Sequence, residues 1–204
     1  MSKRSVSSII ALASILILAA SPVIALTLPG AVDTGLVVLD PSIGASQTPG
    51  TVATAGAVTA GAAAAAADRD LSIEDMMRYA IEDEYLARAE YELIIATYGV
   101  ARPFTNIIRA EENHISWLVA AYASRGLSVP ADPSASHVVL PASVKAALET
   151  GVEAEIANIA MYDSFLSSPL LARPENADLR DLFIRLRDAS KNHLAAFRNA
   201  LSRY

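Results

Sequence analysis

From residue 73 onward, apolar residues recur at the three- and four-residue spacing of an α-helix. Ile73, Met77, Ala80, Ile81, Ala87, Tyr91, Ile94 and Tyr98 share one face, with Glu84 set among them. Ser72, with Asp75 three residues on, is a capping signal, and Gly99 is a stop. A second stretch starts about Pro103, a favoured first-turn residue, and runs to Arg125 with Gly126 behind it. Its inner face holds Ile107, Ile108, Ile115, Leu118 and Tyr122, and between them Glu111 and His114. Residues 127–140, with Pro130 and Pro133, read as a loop. A third helix opens near Pro141 and continues past Tyr162 to Ser167; Gly151 inside it is a weak point, costing about 1 kcal/mol relative to alanine. Pro169 and Pro174 mark the next connection. The fourth helix runs from about Asn176 to the end, with Leu179, Leu182, Phe183, Leu186, His193, Leu194, Phe197 and Leu201 on one side. Almost nothing reads as strand. The pattern predicts an all-α fold, an antiparallel bundle of four amphipathic helices over residues 68–204.

Upstream the pattern changes. Lys3 and Arg4 precede an apolar run from Ile9 to Ala20, Pro22 follows, and Val23-Ile24-Ala25 is an acceptable small-residue cleavage site. Residues 1–25 therefore read as an export signal. The competing reading is an uncleaved anchor, since Ile9 to Leu28 is about the length needed to span a bilayer, although Pro22 weakens it. Both put the rest of the chain outside the cytoplasm, secreted or held at the cell surface, with membrane contact only through this segment. Residues 26–67 are rich in Ala, Thr, Gly, Val, Ser and Pro, follow no sustained period, and read as a low-complexity tether. Alanines 62–67 could extend the following helix upstream.

Charge and composition then narrow the chemistry. The 204 residues carry a net charge of −6, and all of it falls on residues 68–204, because Lys3, Arg4, Asp33 and Asp40 cancel. An acidic domain without a basic face is a poor partner for nucleic acid. The absence of cysteine excludes disulfides, thiolate metal sites, iron–sulfur clusters and cysteine nucleophiles. Any metal must be held by carboxylate, imidazole or neutral oxygen.

Such groups stand on the faces that should be buried. Glu111 and His114, three residues apart, leave the same side of one helix, and unpaired buried charge is costly. Glu84 is followed by Tyr91 after seven residues, and Glu155, between Val152 and Ile159, is followed by Tyr162 at the same interval. Each pair precedes a helix with an inward histidine, His114 and then His193, so the first two helices repeat as the last two. Simpler readings exist for each residue alone. A lone histidine is usually a core histidine with a partner, Glu84 could pair with Arg88 or Arg109, and Tyr91 and Tyr162 are plain core aromatics. His137 reads as an exposed loop residue, and Asp83, Glu90, Glu92 and Glu112 as outward, solvated groups. Five ionisable residues on four inner faces are harder to dismiss, because three carboxylates buried without cations would turn neutral or destabilise the fold. Carboxylate and imidazole donors suit iron or manganese and do not exclude zinc.

These residues resemble the ferritin-like superfamily, in which two helix pairs each supply a lone Glu and a Glu-x-x-His. Glu84-Tyr85-Leu86-Ala87-Arg88 with Tyr91 is similar to the rubrerythrin style of first helix. Ser190-Lys191-Asn192-His193-Leu194 with Phe197 is similar to the fourth helix of an uncharacterised group of small ferritin-like domains in bacteria and archaea. The resemblance covers roughly residues 74–201. It implies one or two bound ions, usually iron, used to oxidise ferrous iron or to reduce oxygen or peroxide. By it Glu84, Glu111, His114, Glu155 and His193 occupy ligand positions, Glu111 is the carboxylate positioned to bridge, and Asn158, Ser190, Tyr91 and Tyr162 are auxiliary. The chain departs from the pattern at Ser190, where a glutamate would stand, and at Asn158, where the position is often acidic. Two divalent ions bring four positive charges and three glutamates balance only three of them, which a dry core tolerates badly. Two functions follow: a di-iron-type oxidoreductase, or a non-catalytic metal-binding or cell-surface interaction module with a degenerate di-metal site. Without cysteine there is no second iron centre of the rubrerythrin kind. Homodimerisation is left open.

Overall fold

The computed structural model describes residues 59–204. The export signal or anchor read at 1–25 and most of the tether lie outside the described residues. Within them all regular structure is helical. The elements are α1 (Gly61–Ala67), α2 (Ile73–Tyr98), α3 (Phe104–Ser124), α4 (Ser134–His137), α5 (Val144–Leu166) and α6 (Ala177–Leu201), with a 3₁₀ turn at Pro174–Asn176 before α6. No helix among them is long and apolar enough to cross a membrane.

The ends of the long helices follow local chemistry. The Ser72 hydroxyl accepts from the Asp75 N–H at 3.1 Å while the Asp75 carboxylate accepts from the Ser72 N–H at 3.2 Å, a reciprocal cap. Gly99 closes α2 in the left-handed region, φ +64°, which a glycine adopts without strain. Ser143, not Pro141, opens α5, its hydroxyl accepting from the Ala146 N–H at 3.1 Å.

Two apolar clusters fill the interior, and both draw on all four long helices. The first is built from Met76, Met77 and Ile81 of α2, Leu118 and Tyr122 of α3, Met161, Tyr162 and Phe165 of α5, and Leu179 to Leu186 of α6. The second holds Tyr91 and Ile94, Phe104 and Ile107, Ala147 and Leu148, and Phe197 and Ala200. This ordering gives the chain directions: α2 and α6 run from the first cluster to the second, α3 and α5 the other way. The neighbouring pairs α2–α3, α5–α6, α2–α5 and α3–α6 therefore all lie antiparallel. The link from α3 to α5 must travel the whole length, and it does so along α2. Leu127 packs on the first cluster, Asp132 pairs with Arg88 at 2.9 Å, and the Tyr98 hydroxyl donates to the Pro141 carbonyl. Where the sequence pattern gives only a loop, this crossover contains the single turn α4, opened by the Asp132 carboxylate accepting from the Ser134 N–H at 2.8 Å.

The alanine run does not extend α2. It forms α1, separated by Asp68, whose carboxylate accepts from the Asp70 N–H at 2.9 Å and the Tyr79 hydroxyl at 2.8 Å and so turns the chain. With only methyl groups to accommodate, α1 packs directly on α2 and α5.

Candidate metal centre

Between the two apolar clusters, at mid-height on every long helix, lies a polar layer. It consists of Glu84 from α2, Glu111 and His114 from α3, Glu155 and Asn158 from α5, and Ser190 and His193 from α6, all buried. Each occupies a position that helical period would give to an apolar side chain, which is why folding the apolar stripes together necessarily gathers them.

Glu111 stands at the centre. Its Oε2 lies 2.8 Å from His114 Nδ1 and its Oε1 3.2 Å from His193 Nδ1. Glu84 Oε2 is 3.1 Å from the same nitrogen of His114, and Glu155 Oε1 is 3.4 Å from that of His193. The two imidazoles stack with centroids 5.7 Å apart. The tyrosines act crosswise: Tyr162 of α5 donates to Glu84 of α2 at 2.9 Å, and Tyr91 of α2 donates to Glu155 of α5 at 3.3 Å. Both are core aromatics, but their hydroxyls orient the carboxylates of the opposite helix pair. Burial and the adjacent glutamates raise both phenols far above their ordinary range, so they remain donors.

Protons hold this cluster together electrostatically. Burial pushes Glu155 up to about 7 and also raises Glu84, which the charge of Glu111 pushes further. Burial acts on Glu111 in the same sense, but hydrogen bonds from His114 and His193 outweigh it and keep Glu111 ionised. The histidines respond in kind. Burial alone would lower them, yet the carboxylates raise His114 to about 9 and His193 to about 10. Each imidazolium thus occupies the electrostatic role that a cation could take over.

The donor set suits a divalent ion. Glu84, Glu111 and His114 form one triad and Glu111, Glu155 and His193 another, the donor atoms of each lying within 4.8 Å of one another. The buried cluster could hold a metal ion, and Glu111 belongs to both triads. Carboxylate and imidazole without sulfur match first-row divalent ions in general and single out none of them. Asn158 and Ser190 sit beside the triads but outside them. The Ser190 hydroxyl donates to Asn158 Oδ1 at 2.6 Å, sharing its proton with the Leu186 carbonyl at 3.0 Å.

Several readings of single residues change. Glu84 does not pair with Arg88, which reaches Asp132 instead. Asp83 does not point outward: its carboxylate accepts from Asn158 Nδ2 and from the Ala62 N–H at 2.8 Å. Glu90 is half-buried, with an Oε1 that has no hydrogen-bond partner. His137 is half-buried, its ring 2.9 Å from the Pro133 carbonyl. A signal for Asp83 and Glu90 was present, because every residue three or four positions from either is apolar or aromatic: Tyr79, Ala80, Leu86 and Ala87 for the first, Leu86, Ala87, Leu93 and Ile94 for the second. Trp117 belongs to none of the sequence motifs. It is 41% exposed, and its ring lies 5.5 Å from that of His114. A larger apolar groove of about 330 Å³ between α1 and α5 contains no ionisable side chain.

Compared with protein-family models, with curated proteins and with solved structures, the chain matches none.

Proposed function

We propose that this chain is an exported ferritin-like protein, an antiparallel four-helix bundle that binds iron in its core and oxidises ferrous iron or reduces oxygen or peroxide there. The observation that carries the reading is the pair of buried Glu/His triads sharing Glu111. The helix directions add to it, since neighbouring antiparallel helices joined by one long crossover are the connectivity of ferritin-like folds. Lys3, Arg4 and the apolar run that follows support export.

Glu84 and His114 would hold one ion, Glu155 and His193 a second, and Glu111 both. Bound iron would supply the electron chemistry. The chain supplies the rest. Tyr162 and Tyr91 fix the outer glutamates through their hydroxyls, and the two apolar clusters on either side keep the layer dry. Metal loading must displace the protons that the carboxylates hold on the two imidazoles, so binding releases acid.

Anaerobic titration of the metal-free protein with ferrous iron tests the first step. We expect one to two ions per chain and quenching of Trp117 fluorescence, because that ring neighbours His114. Uptake no greater than that of a Glu84→Ala, His114→Ala double variant would overturn the metal reading. Admission of air should then oxidise the bound iron faster than iron in buffer. A second reading, a metal-binding or surface-interaction module without catalysis, is favoured by the neutral Ser190–Asn158 pair, since a glutamate at 190 would complete the set. Binding without accelerated oxidation selects it.

A further inference from the structure

The ligand layer carries three carboxylates, one too few for two divalent ions. A fourth lies beside it. A cavity of about 20 Å³, room for one water-sized group, is lined by Glu84, Glu111 and Glu155 and also by Asp83, Asn158 and Ser190. Asp83 does not enter either triad. It reaches the cavity wall through a hydrogen-bonded row in which Ser190 donates to Asn158 Oδ1, and Asn158 Nδ2 donates to Asp83 Oδ2. That row fixes the orientation of the Asn158 amide, because only its NH₂ end can serve a carboxylate and only its oxygen can accept from the serine. The other oxygen of Asp83 accepts from the backbone of Ala62, at the start of α1. Both donors are uncharged. A half-buried carboxylate beside three others, bonded only to neutral groups, lacks a counter-charge among its own partners.

We propose that Asp83 is the fourth carboxylate of this centre, a positioning residue that supplies the negative charge missing at Ser190 and so lets the second ion bind. The inference rests on the metal-binding reading above. Asp83, Glu84, Glu111 and Glu155 together carry four negative charges against the four of two divalent ions, with both histidines neutral as ligands. The Ser190–Asn158 pair then has a use that the loss of two carboxylates alone would not give it: it holds Asp83 toward the cavity. The carboxylate has moved from α6 to α2, adjacent in sequence to the ligand Glu84.

The full-length protein, metal-free and then titrated anaerobically with ferrous iron, tests this through stoichiometry, stepwise affinity and thermal stability. The wild type should take up two ions. Asp83→Asn keeps the shape and the Ala62 contact but removes the charge and sets its NH₂ against that of Asn158, and should weaken the second ion at least tenfold. The exchange variant Asp83→Asn, Asn158→Asp keeps both the amide–carboxylate pair and the net charge, and should recover the second ion to within threefold. Asp83→Asn with two ions at wild-type affinity would overturn the proposal and leave the metal reading intact. So would a wild type that binds a single ion, or an exchange variant that melts with the wild type when metal-free yet fails to recover the second ion. A wild type that binds no metal would overturn both readings.

Discussion

Glu90 shows what one unsatisfied residue does in a helical interior. Burial alone raises its carboxyl to about 7, because its buried oxygen has no partner to favour the charged form. The folded chain therefore keeps a proton that the unfolded chain gives up from its ordinary value near 4.5 upward. The stabilisation is complete below that value and is lost as the pH climbs through about 7. Glu90→Gln removes the titration, so it should leave urea stability almost unchanged at pH 5 and raise it at pH 8. After discounting for partial exposure, the gain is on the order of 1 kcal/mol. Equal effects at the two pH values would show that the carboxyl is solvated. Glu90 and Asp83 also mark how far single residues were legible. Glu84, Glu111, His114, Glu155 and His193 could be read because each replaces an apolar residue on a helical stripe. Asp83 and Glu90 border that stripe, and their apolar neighbours one turn away signal only that they are partly covered; α1, folding back onto α2, donates to Asp83 from the backbone of Ala62, and no period along α2 announces that contact.

At the scale of elements, helix ends were legible wherever a local device sets them, as the Ser72–Asp75 cap and Gly99 do for α2. The alanine run was not, because a sequence of identical small residues has no face and leaves its packing to the rest of the fold. Gly151 shows the same limit. Propensity marks it as a weak point in α5, yet a Cβ there would stand 2.8 Å from Cε1 of Phe197 on α6. That ring cannot easily yield, since it is packed against Tyr91 and Phe104 with centroids 5.5 Å away from each. The glycine lets α5 and α6 approach closely beside the polar layer. Gly151→Ala, which would add about 1 kcal/mol in an exposed helix, should instead lose about 1–3 kcal/mol by overpacking. Chemical denaturation measures the sign directly, and a stabilised variant would mean that α6 can shift to make room.

The described residues form two apolar clusters held apart by a layer that stabilises little on its own. Metal-free, that layer sets buried carboxylates against imidazolium ions, an arrangement whose desolvation penalty offsets most of its attraction. An ion in the first triad would join α2 to α3, and an ion in the second would join α3 to α5 and α6. A metal that binds only the folded chain should, at a hundred times its dissociation constant, add about 2.7 kcal/mol for each ion. For a folded region of this size that corresponds to a melting temperature higher by roughly 10 °C. The shared ligand makes the dependence uneven. Glu84→Ala should lose the contribution of the first triad and Glu155→Ala that of the second, each keeping about half of the metal-induced shift. Glu111→Ala should lose all of it, because Glu111 is the one carboxylate in both triads. Comparing each variant with and without metal removes the cost of the mutation itself. Were Glu111→Ala to keep half of the shift as the others do, the two triads would be independent sites that merely lie close together.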